Sequence, residues 1–189
     1  MMQASAKHIG LILGILTVLL SFLFFGRRQE LYQLLLISGF LVSSVCFLWI
    51  LFGSESIKSK LVWTGIVAVS IALNWGTEPF LVDASYSIYL KQHDEELAEV
   101  NEILKHKQGD IWILRDSIRA KNGQQISSIE KQRLRQEQEK LGAYMILKTD
   151  STIYYGLWGF LDVRLGLTYS ISGRQPNIEY RHLTDNWFH

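Results

Sequence analysis

The residues best equipped for chemistry stand at the end of the chain, in "RHLTDNWFH". If this segment were helical, His182, Asp185 and His189 would share one face, because positions three and seven apart line up on a helix. Two imidazoles and a carboxylate form a donor set that can hold zinc. A chain end, however, is where domains most often fray, so spacing alone does not assign a metal here. A second pair, Asp162 and Arg164, lies two residues apart on the polar side of an alternating segment, and a cross-strand ion pair explains it as readily as ligand contact. Tyr154, Tyr155, Trp158, Phe160 and Tyr169 crowd around that pair. Core packing is the competing explanation for these rings. In "KQHDEE", His93 stands beside three acids, as expected of a solvated helix start. The candidate catalytic residues are therefore Asp162, Arg164, His182, Asp185 and His189, with no cofactor-binding residue, metal ligand or cofactor assigned.

The motifs that usually carry catalysis do not occur. There is no glycine-rich phosphate loop, nucleophile elbow, metalloprotease helix or cysteine pair. The single Cys46 lies in an apolar run, which excludes an intramolecular disulfide and a cysteine-based zinc site. These features lean away from an enzyme.

The elements that must position the candidates are legible in part. In "LDVRLGLTYSIS", residues 161–172, every odd position is apolar or aromatic and every even one is polar or glycine. This period of two predicts a β-strand with a dry face (Leu161, Val163, Leu165, Leu167, Tyr169, Ile171) and a wet face carrying Asp162, Arg164, Thr168 and Ser170. "AYMILKT" and "STIYYGLW" read as preceding strands, with a hairpin turn at Asp150-Ser151 and a bulge near Gly156 and Gly159. "DIWILRDSI" is strand-like or extended, and Asn122-Gly123 marks a turn. "HDEELAEVNEILKHKQG" predicts a helix with Leu90, Leu97, Val100 and Leu104 on one stripe, early acids, late lysines and a stop at Gly109. Ser127 and Glu130 predict a capping box opening a helix that closes at Gly142. Arg133–Glu137 and Arg135–Glu139 are its expected i,i+4 pairs. Together these predict a small α+β domain over residues 84–189, with an antiparallel sheet of about three to four strands whose dry face packs on two helices.

The first 82 residues differ sharply in composition, holding five basic and three acidic residues. Three apolar runs, residues 9–25, 31–52 and 57–77, are long enough for a hydrocarbon core about 30 Å thick. The chain is thus expected to be a multi-pass protein of the cell (inner) membrane, its partners the lipid bilayer and a protein or a further copy of itself. No small-residue cleavage site follows the first run, so it reads as a retained helix. No span carries an ionisable residue in its middle, which argues against a pump or transporter. The hydroxyls of Ser38, Ser43, Ser44, Thr64 and Ser70, and the Asn74 amide, are expected to bond locally or to pack between helices. Gly10/Gly14, Gly39/Ser43 and Ala68/Ala72 are small pairs that would draw three helices into a bundle. The basic flanks are nearly balanced: Lys7, Lys58 and Lys60 against Arg27 and Arg28. We take the N-terminus as cytoplasmic, which sends the C-terminal domain outward. From Ala84 onward basic and acidic residues are equal at 14 each, so nucleic acid is not an expected partner.

Overall fold

The computed structural model describes residues 6–121, 126–160, 163–177 and 179–189, and of residues 160 and 163 the backbone alone. The Asn122-Gly123 turn, Leu161 and Asp162 lie outside the described residues. The chain divides into two compact units, Met1–Ser85 and Tyr86–His189.

In the first unit, α1 (Ala6–Ser21) ends in a 3₁₀ turn (Phe22–Phe24) and is followed by α2 (Gln29–Phe52) and α3 (Ile57–Gln92). All three are long and apolar enough to cross a membrane. Helix α3 does not stop near Thr77, as its polar residues had suggested, but runs on through Pro79. An interior proline removes one N–H and costs roughly 3 kcal/mol. Packing offsets that: Val82, Tyr86, Tyr89 and Leu90 beyond it are all buried, and Ser85 Oγ donates to Phe25 O at 2.9 Å.

The small residues of α1 and α2 are used as their spacing predicts. A Cβ on Gly14 would fall 2.8 Å from Ser43 N and 2.9 Å from Gly39 O, so the two backbones touch where those residues cross. The α3 pair is not used this way. Ala68 and Ala72 are exposed, and a Cβ at Gly65 or Gly76 would meet nothing within 4 Å. Lys7 pairs with Glu55 at 2.6 Å, and the His8 ring stacks on Trp63 with centroids 4.6 Å apart.

The second unit carries α4 (Asp94–Lys105), β1 (Ile111–Leu114), β2 (Ser117–Ala120), α5 (Ser128–Leu141), β3 (Met145–Lys148), β4 (Thr152–Phe160), β5 (Val163–Ser170), β6 (His182–Thr184) and β7 (Trp187–Phe188). The strands form one antiparallel sheet in the order β2-β1-β3-β4-β5-β7-β6. It has seven strands rather than three or four. "DIWILRDSI" folds back on itself as the β1–β2 hairpin, and the C-terminal segment adds another. The capping box forms as predicted: Ser127 N donates to Glu130 Oε2 at 2.9 Å and Glu130 N to Ser127 Oγ at 3.2 Å. Gly142 closes α5 at φ 63°, the left-handed region that glycine enters without a Cβ penalty. A bulge falls between Gly156 and Trp158. Glu137 pairs with Lys140 at 2.7 Å rather than with Arg133, and no ion pair joins Arg135 to Glu139 among the described residues.

One face of the sheet supplies Ile111, Ile113, Ile146, Ile153, Tyr155 and Leu167, all fully buried. Helices α4 and α5 cover it: Tyr155 Oη donates to Asn101 Oδ1 at 2.7 Å, and Gln138 Nε2 donates to Ile113 O at 3.4 Å. Lys148, also buried on this face, donates from Nζ to Lys107 O and, at 3.1 Å, to Gly109 O. It thereby caps the carbonyls that follow α4.

The opposite face is not wet along the second half of β5, although Arg164 at its start is exposed. Thr168 and Ser170 are each only 1% exposed. The C-terminal hairpin pairs with β5 here, bringing the buried Phe188 beside Thr168. Ser170 Oγ donates to Arg174 O at 2.6 Å and Ser170 N to Asn186 O at 2.8 Å. Arg174, Asn186 and Phe188 therefore cover the second side of the strand at Thr168 and Ser170.

Candidate functional site

Strand register lines up one row of residues across the whole second face: Arg119, Trp112, Leu147, Tyr154, Thr168, Phe188 and His182. Burial is greatest inside the row and falls off to both ends, His182 being exposed at one of them. Phe188 and Thr168 are buried, Tyr154 and Leu147 are half-buried, and Trp112 and Arg119 are exposed. The middle of the row holds its most unusual polar atoms. Tyr154 Oη and Thr168 Oγ1 are both buried, sit on directly opposed residues and have no hydrogen-bond partner among the described residues. A buried hydroxyl without a partner is costly. Gly166 leaves the room that the phenol needs: a Cβ there would lie 3.0 Å from Tyr154 Oη. Burial pushes the Tyr154 hydroxyl well above the usual tyrosine range, with Tyr144, Tyr86 and Tyr180 adding to the rise and Arg164 opposing it. The group therefore stays protonated and able to donate at neutral pH.

The predicted site residues fall in several places. Asp162 lies outside the described residues. Arg164 is exposed on β5, close enough to Tyr154 to be felt by its hydroxyl. The segment carrying His182, Asp185 and His189 is not a helix but the β6–β7 hairpin, so the one-face spacing does not apply. His182 packs on Phe188 with ring centroids 5.1 Å apart, and its Nε2 lies 2.9 Å from Asp185 O. His189 pairs through its backbone with Arg181 and packs on Tyr86, centroids 4.9 Å apart. Because side chains alternate along a strand, His182 and His189 leave the hairpin on opposite sides. Among the described residues no three His, Cys, Asp or Glu side chains converge to hold a metal ion.

Asp185 forms the hairpin turn at φ 44°, a left-handed conformation that Asp tolerates better than most residues. It opens on a cleft of about 320 Å³ between α4 and the hairpin, where Asp94, Asn101 and Glu102 face Tyr169 and Trp187. Lys105 pairs with Glu102 across its rim. His93, read as part of a solvated helix start, stands at the N-cap position of α4 without a side-chain capping bond, its Nδ1 3.8 Å from Glu96.

Sequence reading missed the Tyr154–Thr168 pair, because both residues look ordinary on an alternating strand. The signal available was the matching glycines: Gly156 and Gly166 oppose each other on the same face, and glycine within a strand often marks close approach by another group. No protein-family model, curated protein or solved structure matches this chain.

Proposed function

We propose that this chain is a membrane-anchored interaction or structural module, in which the apolar helices tether the C-terminal α+β domain to the bilayer and the domain engages a protein partner or another copy of the chain. One observation carries this reading. The row across the second sheet face ends in Trp112, 38% exposed, beside exposed Arg119 on the edge strand β2. Tryptophan and arginine are the residues most often found at the energetic centre of protein interfaces, and an edge strand offers unpaired backbone groups to an incoming segment. The proposed location is the cell (inner) membrane, with the N-terminus cytoplasmic and the domain outside.

A photocrosslinking amino acid at position 112, in the full chain in cells, tests the reading. A discrete adduct is expected there and not at Ile129, a more accessible apolar residue on α5. A doubled mass bearing two differently tagged copies identifies self-association. Identical patterns at both positions would sink the proposal. A C-terminal topology reporter tests the orientation separately.

The alternative reading is a membrane-bound enzyme or small-ligand sensor using the polar side of the sheet. The unpartnered Tyr154 and Thr168 hydroxyls near Arg164 favour it, since two donors beside a cation suit an anionic or carbonyl oxygen. Ligand-dependent protection of the β4 and β5 amides from hydrogen exchange would support this reading over the first.

A further inference from the structure

Strand register places two aromatic rings on the face of the sheet that α4 covers. Tyr169 stands opposite the fully buried Ile153, and Trp187 stands opposite Tyr169. Their ring centroids are 5.1 Å apart and the planes are inclined at 60°. Tyr155, on the same face, is fully buried and bonded to Asn101, yet Tyr169 and Trp187 are only half-buried. The difference comes from α4. Asp94, Ala98 and Glu102 follow one another at intervals of four and so form one ridge of the helix. All three line the cleft of about 320 Å³ that the two rings also line. The middle residue of that ridge offers a methyl group alone, and each end carries a carboxylate.

Charge in the cleft is unbalanced. Asp94, Glu102 and Asp185 bring three carboxylates against the single ammonium of Lys105. Lys105 is engaged by Glu102, which His106 also approaches at 3.3 Å. Among the described residues neither Asp94 nor Asp185 joins an ion pair, and Asp185 accepts from the neighbouring Thr184 hydroxyl at 3.5 Å.

We propose that this cleft binds a methylated ammonium group, seated against the Tyr169 and Trp187 rings and attracted by the Asp94 and Asp185 carboxylates. The positive charge follows from the two uncompensated acids. Methylation follows from the rings, whose quadrupole attracts a cation without asking it to donate a hydrogen bond. A bare ammonium is more strongly hydrated and gives up more on leaving water. The volume lies at the small end of the roughly 300–1,000 Å³ range of ligand sites, which suits a small solute or a lipid head group bearing this cation. The cleft lies at the β5–β7 end of the sheet and does not depend on what meets Trp112 at the other.

The test is fluorine NMR of the full chain, labelled with fluorotryptophan, in maltoside micelles, with choline as the probe. Trp187→Phe identifies the signal that belongs to the cleft. Choline should shift that signal saturably and leave the remaining tryptophan signals unmoved. Neohexyl alcohol, which has the shape of choline with carbon in place of the charged nitrogen, should need a roughly tenfold higher concentration. Replacing both acids (Asp94→Asn with Asp185→Asn) should weaken choline by roughly threefold or more, whereas Glu95→Gln, an exposed acid of α4 outside the cleft, should leave it unchanged. Both changes fall on exposed side chains, and undisturbed signals from the other tryptophans report that each variant is folded. Equal responses to choline and the alcohol on the unmodified chain would overturn the proposal. So would a Trp187 signal that choline does not move, or a choline response untouched by loss of both acids. Nanodiscs distinguish the sources of the cation. A free solute is bound alike in phosphatidylglycerol and phosphatidylcholine, whereas a head group already seated in phosphatidylcholine shifts the Trp187 signal at the outset and abolishes the response to choline.

Discussion

Removing one oxygen atom, by Tyr155→Phe, should loosen the centre of the C-terminal unit measurably. Tyr155 has no exposed surface, and its ring is held by Ile146 and Leu167 as strand neighbours and by Trp187 at a centroid distance of 5.5 Å. Phenylalanine keeps that packing, so the change is confined to the 2.7 Å hydrogen bond that Oη donates to Asn101 Oδ1. Asn101 is itself only 9% exposed, and its oxygen would be left without a donor. An orphaned buried acceptor costs about 1–3 kcal/mol. Asn101→Leu should cost a similar amount by orphaning the phenol, whereas the double variant removes both needs at once. The two changes should therefore couple by about 1–2 kcal/mol instead of adding. Hydrogen exchange of the β3–β5 amides in the full chain reads the local opening free energy. Additive effects, or a Tyr155→Phe change below about 0.5 kcal/mol, would show that the bond does not tie α4 to the sheet. A pH signature should accompany it. Burial holds the Tyr155 hydroxyl well above its ordinary value of 10.0, with Tyr89 and Tyr169 adding to the rise. The folded state therefore keeps this proton while the unfolded state loses it, and that stabilisation disappears as pH rises above 10. The Phe variant should lack this part of the alkaline slope.

Lys148→Met should free the segment after α4, because the carbonyls of Lys107 and Gly109 lose their charged donor; a loss of about 2 kcal/mol, read as faster exchange around residues 105–111, is expected, and unchanged exchange would refute the capping role. Glu130, held down to about 2 by the Lys107 ammonium and the Ser127 bonds, binds its proton more weakly when folded; its contribution should be intact above its ordinary 4.5 and vanish as pH falls towards 2. Glu130→Gln should flatten that acid limb in a denaturation series, and an unaltered limb would assign it to other carboxylates. Gly14→Val should separate α1 from α2, since the added atoms meet Ser43 and Gly39 backbone; cysteines placed across the crossing should then crosslink less efficiently, and undiminished crosslinking would mean the helices can shift to accommodate it.

What could be read from the chain alone was whatever depends on near neighbours. The α5 cap and stop rest on Ser127, Glu130 and Gly142, residues that act within one turn of the helix they bound. The β3–β4–β5 meander rests on short turns and alternation. The three apolar helices follow from composition, which is why their existence was plain, while the end of α3 was not: Pro79 argues locally for a break, and only burial of Tyr86, Tyr89 and Leu90 keeps the helix going. The C-terminal hairpin was illegible for the same reason. Its strands are three and two residues long, too short for any period, and they exist because β5 offers an edge to pair with. Lys148 looks like a strand-end surface residue. Its burial depends on carbonyls about forty positions away in sequence. The candidate site residues fared likewise, since spacing says where histidines stand along the chain but not whether the segment between them bends.

The alternating segment shows what such a pattern does and does not encode. It separates two kinds of face and says nothing of which one meets water. On β4 and β5 the covered part of this face includes Gly156, Gly166, Thr168 and Ser170, residues small enough to be roofed over: a Cβ at Gly156 would lie 2.7 Å from the Tyr144 ring, and the hairpin supplies Phe188 beside Thr168. Small hydroxyls and glycines can be covered provided that their hydrogen bonds are met, as Ser170 manages with Arg174 O. Large charged side chains cannot be covered so cheaply, and the same row of the same face becomes exposed where it reaches Trp112 and Arg119 on β1 and β2. Side-chain size along the polar face, more than polarity, therefore decides where the sheet is open. By that criterion the sheet is open at its β1–β2 end and closed over Thr168 and Ser170.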